Sequence, residues 1–135
     1  MPETSFSNLS ILLIDDEPSL NDLLEAYLQQ MGVSKIVKAF NGQEALVQLR
    51  HGNVKPDLVL CDLKIPVMDG FEFIKVLRGE QGLEFKDVPV LVLSGSKDPE
   101  SLKRAIELGI QGYLVKPVMI KDLISRMTHA LSPSR

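Results

Sequence analysis

The sequence predicts an α/β protein built on a doubly wound sheet of five parallel strands in the order 2-1-3-4-5. Five short apolar runs alternate strictly with five amphipathic segments, which is typical of parallel strands joined by crossover helices. The first, third and fourth runs are apolar almost throughout, as central strands covered on both faces are. Because crossover connections are right-handed, this strand order is the natural topology for five such units.

The first unit pairs the strand "SILLID" (10–15) with an amphipathic helix. Pro18 suits the first turn of that helix, and Gly32 suits its end. The apolar side chains of the helix recur at helical spacing and predict its inward stripe, at Leu20, Leu23, Leu24, Tyr27, Leu28 and Met31.

The second unit begins with "KIVKAF" (35–40), whose polar start is typical of an edge strand. Asn41 lies three residues before Glu44, a spacing that predicts a capping box at the start of a helix reaching Leu49. The third strand is "DLVLCD" (57–62), in which we expect Cys61 to be a core residue. Asp69 before Gly70 is typical of a cap or turn residue at the start of the third helix.

The last two units follow the same pattern. "VPVLVLS" (88–94) is the fourth strand, and Asp98-Pro99 predicts the start of a helix that ends at Gly109. "GYLVK" (112–116) is the fifth strand. The residues predicted to face inward from the third, fourth and fifth helices are Phe71, Ile74 and Leu77, then Leu102, Ala105 and Ile106, then Ile120, Leu123, Ile124, Met127 and Leu131.

Length and composition predict a single domain over residues 1–135, with its core at about 9–131 and no output domain in this chain. Apolar residues make up 44% of the chain, and charged residues make up 24%. The net charge of -3 favours neither nucleic acid nor an anionic membrane as a direct partner. A single cysteine and the lack of a signal peptide in the first ten residues predict a cytoplasmic protein.

Polar side chains stand where the central strands end. Asp15 and Asp16 follow the first strand, and Asp62, Ser94 and Lys116 end the third, fourth and fifth. Ligands of such sheets bind outside the carboxyl ends of the strands, where the strand order reverses. Converging carboxylates repel one another unless a cation lies between them, and all-oxygen ligands favour Mg²⁺.

The remaining groups suit an anion. Lys116 and the Ser94 hydroxyl supply a positive charge and a hydrogen bond, which fit a phosphoryl group. Asp62 would then lie between a metal side and an anion side, where a carboxylate can act as a nucleophile and form an acyl phosphate. In isolation, Asp15 and Asp16 could merely cap a helix, and Tyr113 could be a packed ring. The convergence of all these groups at one sheet edge favours a functional site.

Four motifs together resemble the receiver domain of bacterial two-component response regulators: "LLIDDEP", "LCDLKIPVMDG", "VLVLSGS" and "GYLVKP". The resemblance extends from about Leu9 to Leu131. It implies a flavodoxin-like (βα)5 fold and a phosphorylation-dependent switch that needs Mg²⁺ or Mn²⁺. It also implies that the chain catalyses only its own phosphorylation and dephosphorylation and is not otherwise an enzyme.

The resemblance implies the roles of the acidic residues. Asp62 would accept the phosphoryl group from a sensor histidine kinase or a phosphotransfer protein. Asp16 would bind the metal directly, Asp15 largely through water, and the backbone carbonyl of Lys64 would be a further ligand. Lys64 and Ser96 would flank the path of the hydrolytic water and make self-dephosphorylation slow.

The resemblance also implies a switch. Ser94 would bond the phosphoryl oxygen, Lys116 would pair with it, and Tyr113 would be the switch aromatic that turns inward. The peptide bond between Lys116 and Pro117 would be cis. The signal would pass through the fourth helix, fifth strand and fifth helix to an unknown output protein or domain.

Three other functions share parts of this pattern. A phosphatase of the haloacid dehalogenase type needs an acid two residues after its nucleophile, where this chain has Lys64. A flavodoxin-like electron carrier needs a phosphate-binding loop rich in Ser, Thr and Gly after the first strand, where this chain has "DDEPSL". The remaining alternative is a receiver-like interaction module that works without phosphorylation. Its usual sign is the loss of an acid or of the lysine, and all of them are present.

Overall fold

The computed structural model describes residues 6–52, 55–63, 69–79, 87–95 and 99–131, and it contains five strands and five helices in these ranges. In chain order the elements are β1 (Ser10–Ile14), α1 (Pro18–Gln30), β2 (Lys35–Ala39), α2 (Gly42–Arg50), β3 (Leu58–Asp62), α3 (Gly70–Gly79), β4 (Val90–Ser94), α4 (Pro99–Glu107), β5 (Gly112–Val115) and α5 (Ile120–Ala130). Within the described ranges, no helix is long and apolar enough to span a bilayer.

The five strands form one parallel sheet in the order β2-β1-β3-β4-β5, which confirms the predicted topology. In the register, Asp62 of β3 pairs with Leu93 of β4, and Ser94 pairs with Val115 of β5. The carboxyl ends of the three strands therefore meet at the same edge of the sheet. The Lys116–Pro117 peptide bond that follows β5 is cis, as the resemblance implies.

Each face of the sheet carries its own hydrophobic core, because successive strand residues point to opposite faces. On one face Leu12, Val59 and Val92 pack with side chains of α2 and α3. On the other face, the neighbouring residues of the same strands pack with α1 and α5. Cys61 lies in the first core, where burial raises the pKa of its thiol above its usual range. Its predicted role as a core residue is thus confirmed.

Helix α1 begins at Pro18 and is followed by Gly32, whose φ of 99° suits a residue without Cβ. Its fully buried positions are Asn21, Leu24 and Leu28. The predicted inward stripe was wrong for Leu23, whose side chain is 40% exposed. The face of α1 that contains Asn21, Leu24 and Leu28 packs against the sheet. Leu23 therefore lies at the outer edge of that face.

The predicted caps of α2 and α3 are present as reciprocal hydrogen bonds. Asn41 Oδ1 accepts from the Glu44 N–H at 2.7 Å, and Asp69 Oδ1 accepts from the Glu72 N–H at 2.9 Å. The glutamate side chains bond back to the N–H groups of Phe40 and Asp69, at 2.9 and 3.4 Å. Each cap satisfies backbone donors that the first helical turn leaves unpaired.

Helices α4 and α5 bury fewer side chains than their apolar patterns predict. In α4 only Ala105 is buried, while Ile106 is 59% exposed, so the prediction for Ile106 was wrong. In α5 the buried residues are Leu123 and Met127, whereas Ile124 is 37% exposed, so the inward prediction for Ile124 was also wrong. Both isoleucines are adjacent in sequence to a buried residue, and a step of one residue turns a side chain about 100° around a helix axis.

Arg78 connects the end of α3 to the segments on both sides of it. Its guanidinium donates to the backbone oxygens of Val88 at 2.6 Å and Gly109 at 2.8 Å, and to Gln111 Oε1 at 3.2 Å. Gln111 Oε1 also accepts from the Val90 N–H at 2.7 Å. The starts of β4 and β5 are therefore joined to the end of α3 by one side chain.

Candidate functional site

Asp62, the last residue of β3, is buried and forms a close ion pair with Lys116. Lys116 follows β5, and its Nζ lies 2.5 Å from Asp62 Oδ2. The same nitrogen lies 3.4 Å from Glu17 Oε1 and 3.6 Å from Asp15 Oδ2. The Lys116 ammonium is thus shared among three carboxylates, at the edge of the sheet where the sequence predicts the site.

Asp15, Asp16 and Asp62 form an acidic cluster in which one carboxylate oxygen from each residue lies within 4.8 Å of the others. Asp15 and Asp62 are buried, whereas Asp16 is exposed. Asp15 Oδ1 accepts from the Glu17 N–H at 2.9 Å, but Asp15 Oδ2 is buried without a hydrogen bond in the described part of the chain. A buried carboxylate oxygen without a hydrogen bond, in a group whose potential ligands are all oxygens, suits a hard divalent cation such as Mg²⁺.

Burial raises the pKa of the Asp15 carboxyl to about 6. The N–H of Glu17 opposes this shift, the negative charge of Asp62 adds to it, and Lys116 again opposes it. Burial alone would lower the pKa of Lys116. The hydrogen bond to Asp62 and the charges of Asp62, Asp15 and Glu17 together outweigh burial and raise it. Lys116 is therefore held charged as the counter-ion of the cluster.

Asn21 lies next to this site and contacts Asp15, although the sequence patterns did not single it out. Its side chain is 1% exposed, and its Nδ2 donates to the backbone oxygen of Asp15 at 2.7 Å. The available signal was a polar residue at helical spacing from Leu24 and Leu28. Leu20 and Leu23 obscured this signal, because together they suggested an apolar stripe that did not include Asn21.

Ser94 and Tyr113 lie on the two strands beyond Asp62. Ser94 ends β4 and is buried, and its backbone oxygen accepts from the Lys116 N–H at 2.8 Å. Tyr113 of β5 is partly buried against the core on the α2 and α3 face of the sheet. The Arg126 guanidinium lies 5.7 Å from the centre of the Tyr113 ring. Ser94 thus pairs with Val115 at the end of β5 next to Lys116, whereas Tyr113 lies two residues earlier on the same strand.

Gly70 brings the start of α3 against the backbone that follows β3. A Cβ at this residue would lie 2.5 Å from the Asp62 backbone oxygen and 2.7 Å from the Leu63 Cα. The Gly70 N–H donates to the Leu63 oxygen at 3.1 Å. Lys64, the predicted source of a carbonyl ligand, and Ser96 lie outside the described residues.

Comparison with known proteins identifies the family. The family model described as the response regulator receiver domain matches residues 11–128. The chain therefore belongs to the response regulator receiver domain family, and its fold and acidic cluster are consistent with phosphorylation-dependent signalling.

Individual relatives agree with this assignment. The chain is 35% identical to the DNA-binding response regulator MtrA of Mycolicibacterium smegmatis over 117 residues, covering 87% of this chain and 48% of MtrA. It is 33% identical to the DNA-binding dual master transcriptional regulator RpaA of Synechocystis, covering 87% of this chain and 46% of RpaA. The solved structure of the chemotaxis response regulator CheY4 of Vibrio cholerae matches with a TM-score of 0.80 at 30% identity, covering 91% of this chain and 98% of CheY4.

The predicted set of partners needs correction. The sequence predicted a kinase or phosphotransfer protein and an unknown output partner, without nucleic acid or membrane. MtrA and RpaA are both named as DNA-binding or transcriptional regulators, and the chain spans about half the length of each. These relatives point to a DNA-binding output domain. A net charge of -3 could not predict this, because the charge of a receiver domain carries no information about the other half of such regulators.

Proposed function

We propose that residues 1–135 act as one receiver domain, a cytoplasmic switch in which Asp62 accepts a phosphoryl group. The observation that carries the proposal is the position of the Asp62 carboxylate, 2.5 Å from Lys116 Nζ and within 4.8 Å of ligand oxygens of Asp15 and Asp16. A nucleophile between a cation-binding cluster and a fixed ammonium suits phosphoryl transfer, in which positioning and charge stabilisation supply most of the catalysis.

In the proposed reaction, an Asp62 carboxylate oxygen attacks the phosphorus of a phosphohistidine on a histidine kinase or phosphotransfer protein. The new bond is O–P, the P–N bond of the donor breaks, and the imidazole keeps its electron pair. Lys116 neutralises charge on the phosphoryl oxygens, and the Ser94 hydroxyl donates a hydrogen bond to one of them. A divalent cation held by Asp15, Asp16 and Asp62, with the Lys64 carbonyl, would supply further positive charge to those oxygens.

The proposed output is control of DNA binding, as the names of MtrA and RpaA suggest. We expect the signal to leave through α4, β5 and α5. Tyr113 lies on β5, within this surface, and Ile106 of α4 is exposed. Phosphorylation would shift an existing equilibrium between two arrangements of these elements rather than refold the domain.

The interaction-only module is less favoured. A module that works without phosphorylation has no need to keep two buried carboxylates beside a single lysine, because burying charge is costly unless the charges serve a purpose. Here Asp15, Asp62 and Lys116 are all present and brought together. Mg²⁺-dependent labelling distinguishes the two functions.

The test is incubation with acetyl phosphate, a small phosphodonor, followed by intact mass measurement. We expect one phosphoryl group to be added in the presence of Mg²⁺ or Mn²⁺ and none in EDTA. Asp62→Asn should remain unlabelled, since an amide is not a nucleophile for phosphorus. Labelling of Asp62→Asn equal to that of the wild type would show that the acceptor is another residue.

The switch is tested with beryllofluoride, which stands in for the phosphoryl group on Asp62. In NMR spectra, we expect shifts at Ser94 and Lys116 that extend to Tyr113 and to residues of α4 and α5. A Tyr113→Ala variant should keep the shifts at the site and reduce those in α4. Shifts confined to the immediate site in the wild type would contradict the proposed route.

A further inference from the structure

Asn21 is a buried polar residue at a position where an apolar side chain would be expected. It lies in the second turn of α1, on the arc that carries Leu24 and Leu28, and it is 1% exposed. Asparagine is a poor helix former, and a buried amide needs hydrogen bonds to offset its desolvation. Its Oδ1 has no hydrogen-bond partner among the described residues. The amide at this buried position therefore calls for a specific reason.

That reason is the backbone oxygen of Asp15. Strand β1 ends at Ile14, so the Asp15 carbonyl lies one residue beyond the strand. A buried carbonyl without a donor is strongly destabilising. Asn21 Nδ2 donates to it at 2.7 Å, which is the only hydrogen bond found for the Asn21 side chain in the described part of the chain.

Together with two other contacts, this bond fixes the orientation of Asp15. The Asp15 N–H donates to the Ala39 oxygen at 3.1 Å, and its Oδ1 accepts from the Glu17 N–H at 2.9 Å. Glu17 is itself held, because its backbone oxygen accepts from the Asn21 N–H at 3.0 Å. The backbone and one carboxylate oxygen of Asp15 are therefore restrained, and only Oδ2 is left without a hydrogen bond.

We propose that Asn21 is a positioning residue for the divalent cation: its amide fixes the Asp15 backbone so that Asp15 Oδ2 is directed into the acidic cluster before the cation arrives. The inference rests on the proposed function, because it assigns Asn21 to the metal site of the same phosphorylation reaction. A ligand that is already oriented loses little conformational freedom on binding. Groups that orient metal ligands through hydrogen bonds typically change metal affinity by about 10- to 100-fold when they are removed.

The test compares Asn21→Leu with Leu24→Ala. Both changes affect buried positions of α1, but Leu24 packs in the hydrophobic core on the α1 and α5 face of the sheet. We expect Asn21→Leu to raise the Kd for Mg²⁺ by about tenfold, measured as the Mg²⁺ dependence of the melting temperature. Leu24→Ala should lower the melting temperature at every Mg²⁺ concentration and leave the Kd unchanged.

A second readout separates positioning from general damage. In acetyl phosphate labelling, the Mg²⁺ concentration for half-maximal rate should rise by the same factor in Asn21→Leu. The maximal rate at saturating Mg²⁺ should stay within about twofold of the wild type, because Asn21 contacts neither phosphorus nor Asp62 in the proposed reaction. A lower maximal rate with unchanged Mg²⁺ dependence would overturn the proposal.

Equal Kd values for Mg²⁺ in the wild type, Leu24→Ala and Asn21→Leu would also overturn it. If Asn21→Leu does not fold, Asn21→Ala removes the donor without adding bulk, and the same two measurements apply to it. A wild-type protein that binds no Mg²⁺ and takes no label would instead contradict the proposed function. The two failures are therefore distinguishable.

Discussion

Lys116 Nζ lies 2.5 Å from Asp62 Oδ2 and connects residues at the ends of two strands that are not neighbours in the sheet. Strand β4 lies between β3 and β5, so the lysine reaches past the end of β4, where Ser94 stands. Lys116 thereby serves as the counter-ion of the acidic cluster in the absence of a metal. Its position also places an ammonium where we propose that the phosphoryl oxygens arrive.

Replacing Lys116 with methionine should destabilise the metal-free protein and increase its response to Mg²⁺. Without the ammonium, the buried carboxylates of Asp15 and Asp62 repel each other, and removal of one partner from a largely buried ion pair costs about 2 kcal/mol or more. A cation then has more charge to neutralise. Melting temperatures in EDTA and across an Mg²⁺ titration measure both effects.

Lys38→Met is the matched control. Lys38 also pairs with two carboxylates, Asp22 at 3.4 Å and Glu25 at 2.9 Å, but neither of them belongs to the acidic cluster. We expect a smaller loss of stability than for Lys116→Met, because ion pairs at exposed sites contribute little, and an unchanged response to Mg²⁺. If both variants responded to Mg²⁺ like the wild type, Lys116 would not be the counter-ion of the acidic cluster.

The stability of the metal-free protein should depend on pH through Asp15. Burial raises the pKa of its carboxyl from the ordinary value of 3.8 to about 6 in the folded protein, so between these pH values the native state holds a proton that the unfolded chain releases. The resulting stabilisation is complete below about pH 4 and is lost as the pH rises through about 6. At neutral pH, Asp15→Asn should therefore be more stable than the wild type, by on the order of 2 kcal/mol.

Urea denaturation in EDTA between about pH 5 and pH 8 measures this effect. The advantage of Asp15→Asn should shrink as the pH falls, because the wild-type carboxyl becomes protonated. Asp16→Asn changes an exposed member of the same cluster and should show a much smaller effect. A pH-independent difference between Asp15→Asn and the wild type would contradict the assignment.

The sequence predicted the topology and the place of the site because both depend on strong, local patterns. Apolar runs of about five residues define the strands. Once a strand has been located, the residue at its carboxyl end is known as well. The positions of Lys116, Ser94 and Asp62 at the strand ends could therefore be predicted from the sequence. The strand limits were less certain: β4 begins at Val90 rather than Val88, since Pro89 has no N–H to contribute to the ladder.

Burial on the helices was harder to predict, because it depends on how each helix is rotated against the sheet. The spacing of apolar residues in α1 allowed an arc that included Leu23, whereas the packed helix buries Asn21 instead. Ile106 satisfied the same periodicity and is exposed. Periodicity defines a stripe about 100° wide, and only tertiary contacts decide which of its edges is buried.

Arg78→Met should cost more stability than a surface arginine change. Arg78 donates three hydrogen bonds that join the end of α3 to Val88, Gly109 and Gln111. Burial lowers the pKa of its guanidinium, and the charge of Asp87 opposes the shift. Loss of these bonds leaves backbone oxygens without their charged donor, so we expect a loss of about 2–3 kcal/mol in urea denaturation.

Arg104→Met provides the comparison for Arg78. The Arg104 guanidinium lies 4.0 Å from the centre of the Phe71 ring, and the residue is exposed. A cation–π contact of that kind contributes about 0.5–1 kcal/mol. Equal losses in the two variants would mean that the hydrogen bonds of Arg78 do not stabilise the fold.

The two glycines of α3 should respond in opposite directions to alanine. A Cβ at Gly70 would meet the Asp62 backbone oxygen at 2.5 Å and the Leu63 Cα at 2.7 Å, whereas a Cβ at Gly79 would meet nothing within 4 Å. Both clashing atoms at Gly70 belong to backbone, which cannot move aside as a side chain can. Gly70→Ala should therefore lose about 3 kcal/mol, and Gly79→Ala should gain up to about 1 kcal/mol by favouring the helix.

The same pair tests whether the packing of α3 positions the phosphoacceptor. Relief of the clash requires α3 to move away from Asp62, or Asp62 to move within β3, so Gly70→Ala should also slow labelling by acetyl phosphate. Gly79→Ala lies at the far end of α3 and should label like the wild type. Labelling is compared below the melting temperature of each variant, so that only folded protein is measured. If Gly70→Ala were destabilised but labelled at the wild-type rate, the contact would stabilise the fold without positioning Asp62.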